Sequence, residues 1–223
     1  MTDFERLVLE DRIFLEIEDA NTHAHVQGVF LFEAGPLIGP DGGVDFDRIC
    51  EYVGARLYLI PRYRQRVEML PGDDHPVWVD DPTFNLHYHV RHARLPLPGS
   101  ERQLKRLCGR LASQQLDRGK PLWEMWIVEG LERDRFALVT KVHHCMIDGI
   151  SGVDLLTTLL TPEPIEDFEP APRWIPRPVP SRDELSRDRL QSRLEAPFEI
   201  GGAITRALRS PSRTLEDVRD ALQ

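Results

Sequence analysis

Apolar residues recur at helical spacing over residues 7–17, where Leu7, Val8, Ile13, Phe14 and Ile17 predict a short helix. Residues 26–32 form a β-rich run that predicts a strand, and the turn-rich stretch 36–43 follows it. Residues 44–59 place Phe46, Ile49, Val53 and Leu57 near one helical face. Two short runs, 63–70 and 76–79, predict a hairpin around Pro71-Gly72-Asp73-Asp74. Residues 86–92 alternate and predict a strand, and 101–116 predict a helix with Ser100 as its N-cap. Residues 124–131 and 135–143 predict a hairpin across Glu132-Arg133-Asp134, and 150–160 an amphipathic helix.

The pattern changes at Thr161. Residues 161–180 are rich in proline, which cannot sit in a helix interior or a ladder, so they predict an extended linker over a surface. Residues 181–194 predict a charged helix capped by Ser181, with Glu184 in the capping-box position. Stretches 203–208 and 215–222 are further short helical candidates. The expected organisation is therefore a domain over 1–160, a proline-rich linker over 161–180 and a helical connecting segment over 181–223.

Composition narrows the setting. The 223 residues are 41% hydrophobic and 29% charged, with a formal net charge of -9. An acidic chain lacks the basic surface that nucleic acid requires, so no nucleic-acid partner is expected. No run approaches the roughly 20 apolar residues needed to span a bilayer, and residues 1–6 show no secretory pattern. The isolated Cys50, Cys108 and Cys145 point to reduced thiols and a cytoplasmic location. Peripheral contact with a membrane or lipid droplet is left open.

The chemistry concentrates in His143-His144-Cys145-Met146-Ile147-Asp148-Gly149, between a predicted strand and a predicted helix. Side chains at such a junction project into clefts, and an imidazole there is suited to proton transfer near neutral pH. Asp148 can orient or buffer it electrostatically, and Gly149 allows a sharp turn. If one histidine faces a cleft, its neighbour on the strand faces away. Adjacent histidines do not match the His-x3-His spacing of zinc sites, so no metal is expected. Cys145 beside the histidines raises the alternative of a thiol nucleophile.

His-His-x-x-x-Asp-Gly at this junction resembles the active-site signature of the CoA-dependent acyltransferase superfamily. Pro121-Leu122-Trp123 followed by Ile127-Val128-Glu129-Gly130 is similar to a motif of the bacterial wax ester synthase/diacylglycerol acyltransferases. So are Asn21-Thr22-His23-Ala24-His25-Val26, the stretch from Pro61 to Val67, and the stretch from Asp81 to Arg91. The resemblance covers about residues 5–160. It implies an α/β, chloramphenicol-acetyltransferase-like half, a mixed β-sheet flanked by helices. It also implies transfer of a fatty acyl group from acyl-CoA to a diacylglycerol or a long-chain alcohol, with no cofactor beyond the acyl-CoA substrate.

By the same resemblance His144 is the general base and acts directly on the acceptor hydroxyl. His143 supports the turn or packs behind it. Asp148 forms an ion pair with an arginine, for which Arg64 is the candidate, while Arg62, Arg64 and Arg66 read equally well as a solvated strand face. Gly149 shapes the turn, and Pro121, Leu122 and Trp123 are structural or line a channel. Family members are about twice this length, so the chain corresponds to an N-terminal half. Its partner would be the C-terminal half or a separate chain, and the isolated chain is expected to turn over little or not at all. Other readings are a non-catalytic module binding lipid or acyl-CoA, and a condensation-type acyltransferase using a carrier thioester.

Overall fold

The alternation closes into two sheets. The computed structural model describes residues 4–40, 42–69, 75–147, 158–161, 165, 167–181, 183, 184 and 187. In chain order the elements are β1 (Glu5–Arg6), α1 (Leu9–Ile17), β2 (His25–Glu33), α2 (Phe46–Arg56), β3 (Gln65–Glu68), β4 (Val77–Asp80), α3 (Leu86–His89), β5 (Val90–Arg94), α4 (Glu101–Ala112), β6 (Trp123–Leu131) and β7 (Arg135–His143). They belong to one compact unit that takes in Phe4–Leu70 and Asp74–Val179. In a second unit, Glu184 accepts the Ser181 N–H at 2.7 Å and Ser181 Oγ accepts the Glu184 N–H at 3.3 Å, the capping box expected there.

The larger sheet runs β2-β7-β6-β5 and is mixed, as the fold class requires. β7 pairs antiparallel with both β2 and β6, while β5 lies parallel to β6. A parallel pair needs a long crossover, and α4 supplies it. One face of the sheet buries Trp123, Met125, Ile127, Phe136, Leu138 and Val142 with Val53 of α2. The opposite face buries Val128, Ala137 and Val139 under Leu104, Cys108 and Leu111 of α4. The smaller sheet, β1-β4-β3, is antiparallel and contains the predicted hairpin, whose turn lies outside the described residues.

Three expectations need correction. Residues 86–92 do not form one strand. Asn85 accepts the His87 N–H at 3.0 Å and starts the single turn α3, and the strand begins only at Val90. The helix expected over 44–59 starts at Phe46, because Val44 bridges to Ile38 and Asp45 caps the Arg48 N–H. It gives way to a 3-10 turn at Leu57–Leu59.

The helix expected over 101–116 is capped by Ser100, in a capping box with Gln103, but ends at Ala112. Side chains of the sheet take over its last carbonyls. Gln27 donates to the Cys108 carbonyl at 3.1 Å, and the His25 and His23 Nε2 atoms bond those of Ala112 and Ser113 at 2.7 and 3.1 Å. Lys141, 1% exposed, donates to Leu111 and Gln114 at 3.1 and 2.9 Å and lies 3.2 Å from Glu124. Positive groups at a helix C-terminus satisfy its orphan acceptors and its dipole. A lysine inside an apolar strand is thereby accounted for.

The described residues 167–180 of the proline-rich segment form no helix or strand and are anchored to the domain. The backbone N–H of Arg177 and two of its guanidinium nitrogens donate to Asp80 at 2.9, 3.2 and 2.8 Å. Trp174 meets Phe84 edge-on at 6.2 Å, and Phe168 meets Tyr52 at 5.4 Å.

Candidate active site

β7 ends by delivering the two histidines to different surroundings. His143 is the last strand residue and is completely buried. His144 opens a 3-10 turn, His144–Met146, and its ring is half-buried, stacked on Phe14 of α1 with centroids 3.8 Å apart.

Four backbone or cap bonds hold the turn. The His143 N–H donates to the Leu122 carbonyl at 2.9 Å, and the His144 N–H donates to the Ala24 carbonyl at 2.8 Å. The Cys145 N–H donates to His143 Nδ1 at 3.1 Å, and the Ile147 N–H to the His144 carbonyl at 3.0 Å. Because Nδ1 accepts, the neutral His143 ring carries its proton on Nε2. That atom lies 3.6 Å from the Glu18 carboxylate, too long for a full hydrogen bond.

Burial pushes the His143 pKa down to about 4, against the pull of Glu18. His143 is therefore neutral near pH 7 and walled off from any substrate. Burial works against ionisation of Glu18 too, but its bonds to Arg118 and Gln115 and the nearby His143 hold its carboxyl below the usual range. Cys145 is buried, and burial pushes its thiol up to about 12. A protonated, buried thiol is a poor nucleophile, which weighs against the cysteine alternative. His144 Nδ1 is buried and has no hydrogen-bond partner among the described residues.

Pro121-Leu122-Trp123 is joined to this turn, Leu122 through its carbonyl on His143. Trp123 is fully buried, and its indole N–H donates to the Tyr63 carbonyl at 2.8 Å. Its own carbonyl accepts from His89 Nδ1 at 2.8 Å, and the His89 ring stacks between Trp123 and Phe84 at 4.7 and 5.2 Å. Arg64 faces the Trp174 ring at 4.8 Å, and its Nε is buried without a hydrogen-bond partner among the described residues. Asp148 and Gly149 lie outside the described residues, so the expected Asp148–Arg64 pair does too.

Sequence reasoning did not find Glu18, Arg118, Phe14 or the Ala24 carbonyl. Glu18 carried one usable signal, a carboxylate directly after an apolar helical turn. Among the described residues no cluster of three His, Cys, Asp or Glu side chains is placed to hold a metal. A cavity of about 470 Å3 borders the turn at Cys145 and Met146 and extends to Val8, Asp11, Arg62 and Tyr63.

The mixed sheet β2-β7-β6-β5 with helices packed on it is of the chloramphenicol-acetyltransferase-like fold. The starter condensation domain of rhizomide synthetase shares this fold, with a TM-score of 0.53 at 12% identity over 70% of this chain and 36% of that one. A solved wax ester synthase/diacylglycerol acyltransferase from Marinobacter aquaeolei VT8 aligns with a TM-score of 0.62 at 28% identity, covering 86% of this chain and 46% of that one.

In sequence, the chain matches the wax ester synthase/diacylglycerol acyltransferase catalytic domain over residues 7–223, and it belongs to that family. A probable diacylglycerol O-acyltransferase of Mycobacterium tuberculosis, tgs3, is 39% identical over 181 residues, 81% of this chain and 65% of that protein. Another from the same organism, tgs1, is 40% identical over 151 residues, 67% of this chain and 31% of that protein. The matched region thus spans less than two thirds of each of these relatives. Among the described residues no helix is long and apolar enough to cross a membrane.

Proposed function

We propose that the chain carries the general base of an acyl-CoA-dependent O-acyltransferase acting on a diacylglycerol or a long-chain alcohol. The observation that carries this reading is the opposite fate of the two histidines. His143 is buried, neutral and committed to the turn, whereas His144 is half-buried and its Nδ1 has no hydrogen-bond partner among the described residues.

In the reaction, His144 accepts the hydroxyl proton as the alcohol oxygen attacks the thioester carbonyl. A C–O bond forms, and the tetrahedral intermediate collapses with cleavage of the C–S bond. The CoA thiolate leaves and takes the proton back from the imidazolium, so ester and CoA are the products and no acyl-enzyme forms. No cofactor beyond acyl-CoA is required.

Turnover is expected to need the remainder of the family's catalytic chain, since 46% of the Marinobacter chain is matched here. A site built between two walls binds weakly with one. The test is CoA release from a long-chain acyl-CoA with diacylglycerol or a fatty alcohol, in the full natural chain containing this sequence. His144→Ala should lower kcat about 10²–10⁴-fold and leave the fold intact. Unchanged turnover in that variant would remove His144 as the base.

A further inference from the structure

We propose that Glu18 is a positioning residue for His144, a buried carboxylate that holds the backbone before the base through Ala24 and faces the ring of His143 beside it. Its kinetic consequence presupposes the acyltransferase reading; its spectroscopic consequence does not.

Glu18 follows α1 as its C-cap and keeps 1% of its side chain exposed. A carboxylate so buried must be paired, and Arg118 supplies the pair through Nε and Nη2 at 3.1 and 2.9 Å. Arg118 in turn donates to the Leu15 carbonyl of α1 at 2.6 Å. Two routes lead from this carboxylate to His144. On one side Glu18 accepts the Ala24 N–H at 3.3 Å, and the Ala24 carbonyl accepts the His144 N–H at 2.8 Å. On the other it faces the protonated Nε2 of His143 at 3.6 Å, whose Nδ1 holds the Cys145 N–H. The same anchor fixes the end of α1, and Phe14, four residues earlier, is the ring against which His144 rests. Among the described residues the other charged or titratable groups around Glu18 and His143 are Arg118, His25, His144 and Cys145.

An amide cannot do the same work. In Glu18→Gln the amide N–H has Arg118, the Ala24 N–H and the His143 Nε2–H, all donors, around it, and only the Gln115 amide, if turned over, offers it an acceptor. The turn then relaxes, and misplacement of a reacting group by about 1 Å costs roughly 10²-fold in rate.

The experiment uses the full natural chain labelled with ¹⁵N-histidine, as wild type and Glu18→Gln. The wild type should show His143 as the Nε2–H tautomer alone, and the variant a second population or an exchange-broadened signal. kcat should fall roughly 10²-fold, with KM for acyl-CoA changing less than about threefold. If Glu18→Gln does not fold, Arg118→Lys, which keeps a cation beside the carboxylate, should lower kcat in the same direction. An Nδ1–H tautomer in the wild type, or unchanged kcat in these variants, would overturn the assignment. Absence of acyl transfer by the wild type would refute the enzymatic reading, while the tautomer would still decide the part played by Glu18.

Discussion

Acid should unfold this protein partly through His143, and the size of that effect follows from its surroundings. The ring is 0% exposed, and burial lowers its pKa from 6.5 to about 4. Between these values the unfolded chain takes up a proton that the native state refuses. Stability is therefore complete above about pH 6.5 and is lost as pH falls toward 4. The whole difference is worth about 3 kcal/mol, of which about 2 kcal/mol appears between pH 7 and pH 5. Urea midpoints should fall by roughly 1 M over that interval. The perturbation that isolates the effect is His143→Asn, whose side-chain oxygen can still accept the Cys145 N–H but does not titrate. His25 and His89, also lowered by burial, titrate in both proteins and cancel. The variant's stability should be flatter by about 2 kcal/mol between pH 7 and pH 5. Parallel pH curves for the two proteins would refute the assignment of a buried neutral His143.

Other substitutions probe the frame around the site. Trp123→Phe keeps a ring against His89 but strands the Tyr63 carbonyl that the indole now satisfies; thermal denaturation should show a loss of about 1–3 kcal/mol. Gly99 has φ +74°, and a Cβ there would lie 1.9 Å from the Gly130 carbonyl oxygen. Gly99→Ala should cost about 3 kcal/mol or more, and a wild-type Tm in that variant would contradict the close approach. Arg177→Ala should free the extended strap from Asp80. A local loss of about 1–2 kcal/mol would speed limited proteolysis within 165–181 roughly tenfold.

Much of this frame was legible because it is local. The β6–β7 hairpin and the Ser100 cap follow from alternation and a capping residue, and the structure places the hairpin strands within one residue of the expected bounds. The failures involve partners distant in sequence. α3 starts at a local cap, Asn85, but its last residue, His89, is held by the Trp123 carbonyl 34 residues on, which no local pattern encodes. α4 ends early because carbonyls of its last turn are claimed by His25 and Lys141, residues 87 positions earlier and 30 later. In the site, the motif marked His143 and His144, but Glu18 is drawn into it by Arg118, 100 residues away. Lys141 was the overlooked hint, since a charge inside an apolar strand announces a hidden partner.

The pairing of β2 with β7 has a consequence for how the protein matures. β6 and β7 are joined by a short turn, so their hairpin forms from local contacts. β2 must find β7 across the chain, from His25↔His143 to Glu33↔Arg135. Pairings of such long range carry the larger loop-closure entropy and form slowly. The bond from the His144 N–H to Ala24 extends this same ladder. The turn that carries His144 thus takes shape only when the sheet acquires its edge strand, so on refolding, protection of the His144 amide should trail the first appearance of β-structure and coincide with amide protection in β2.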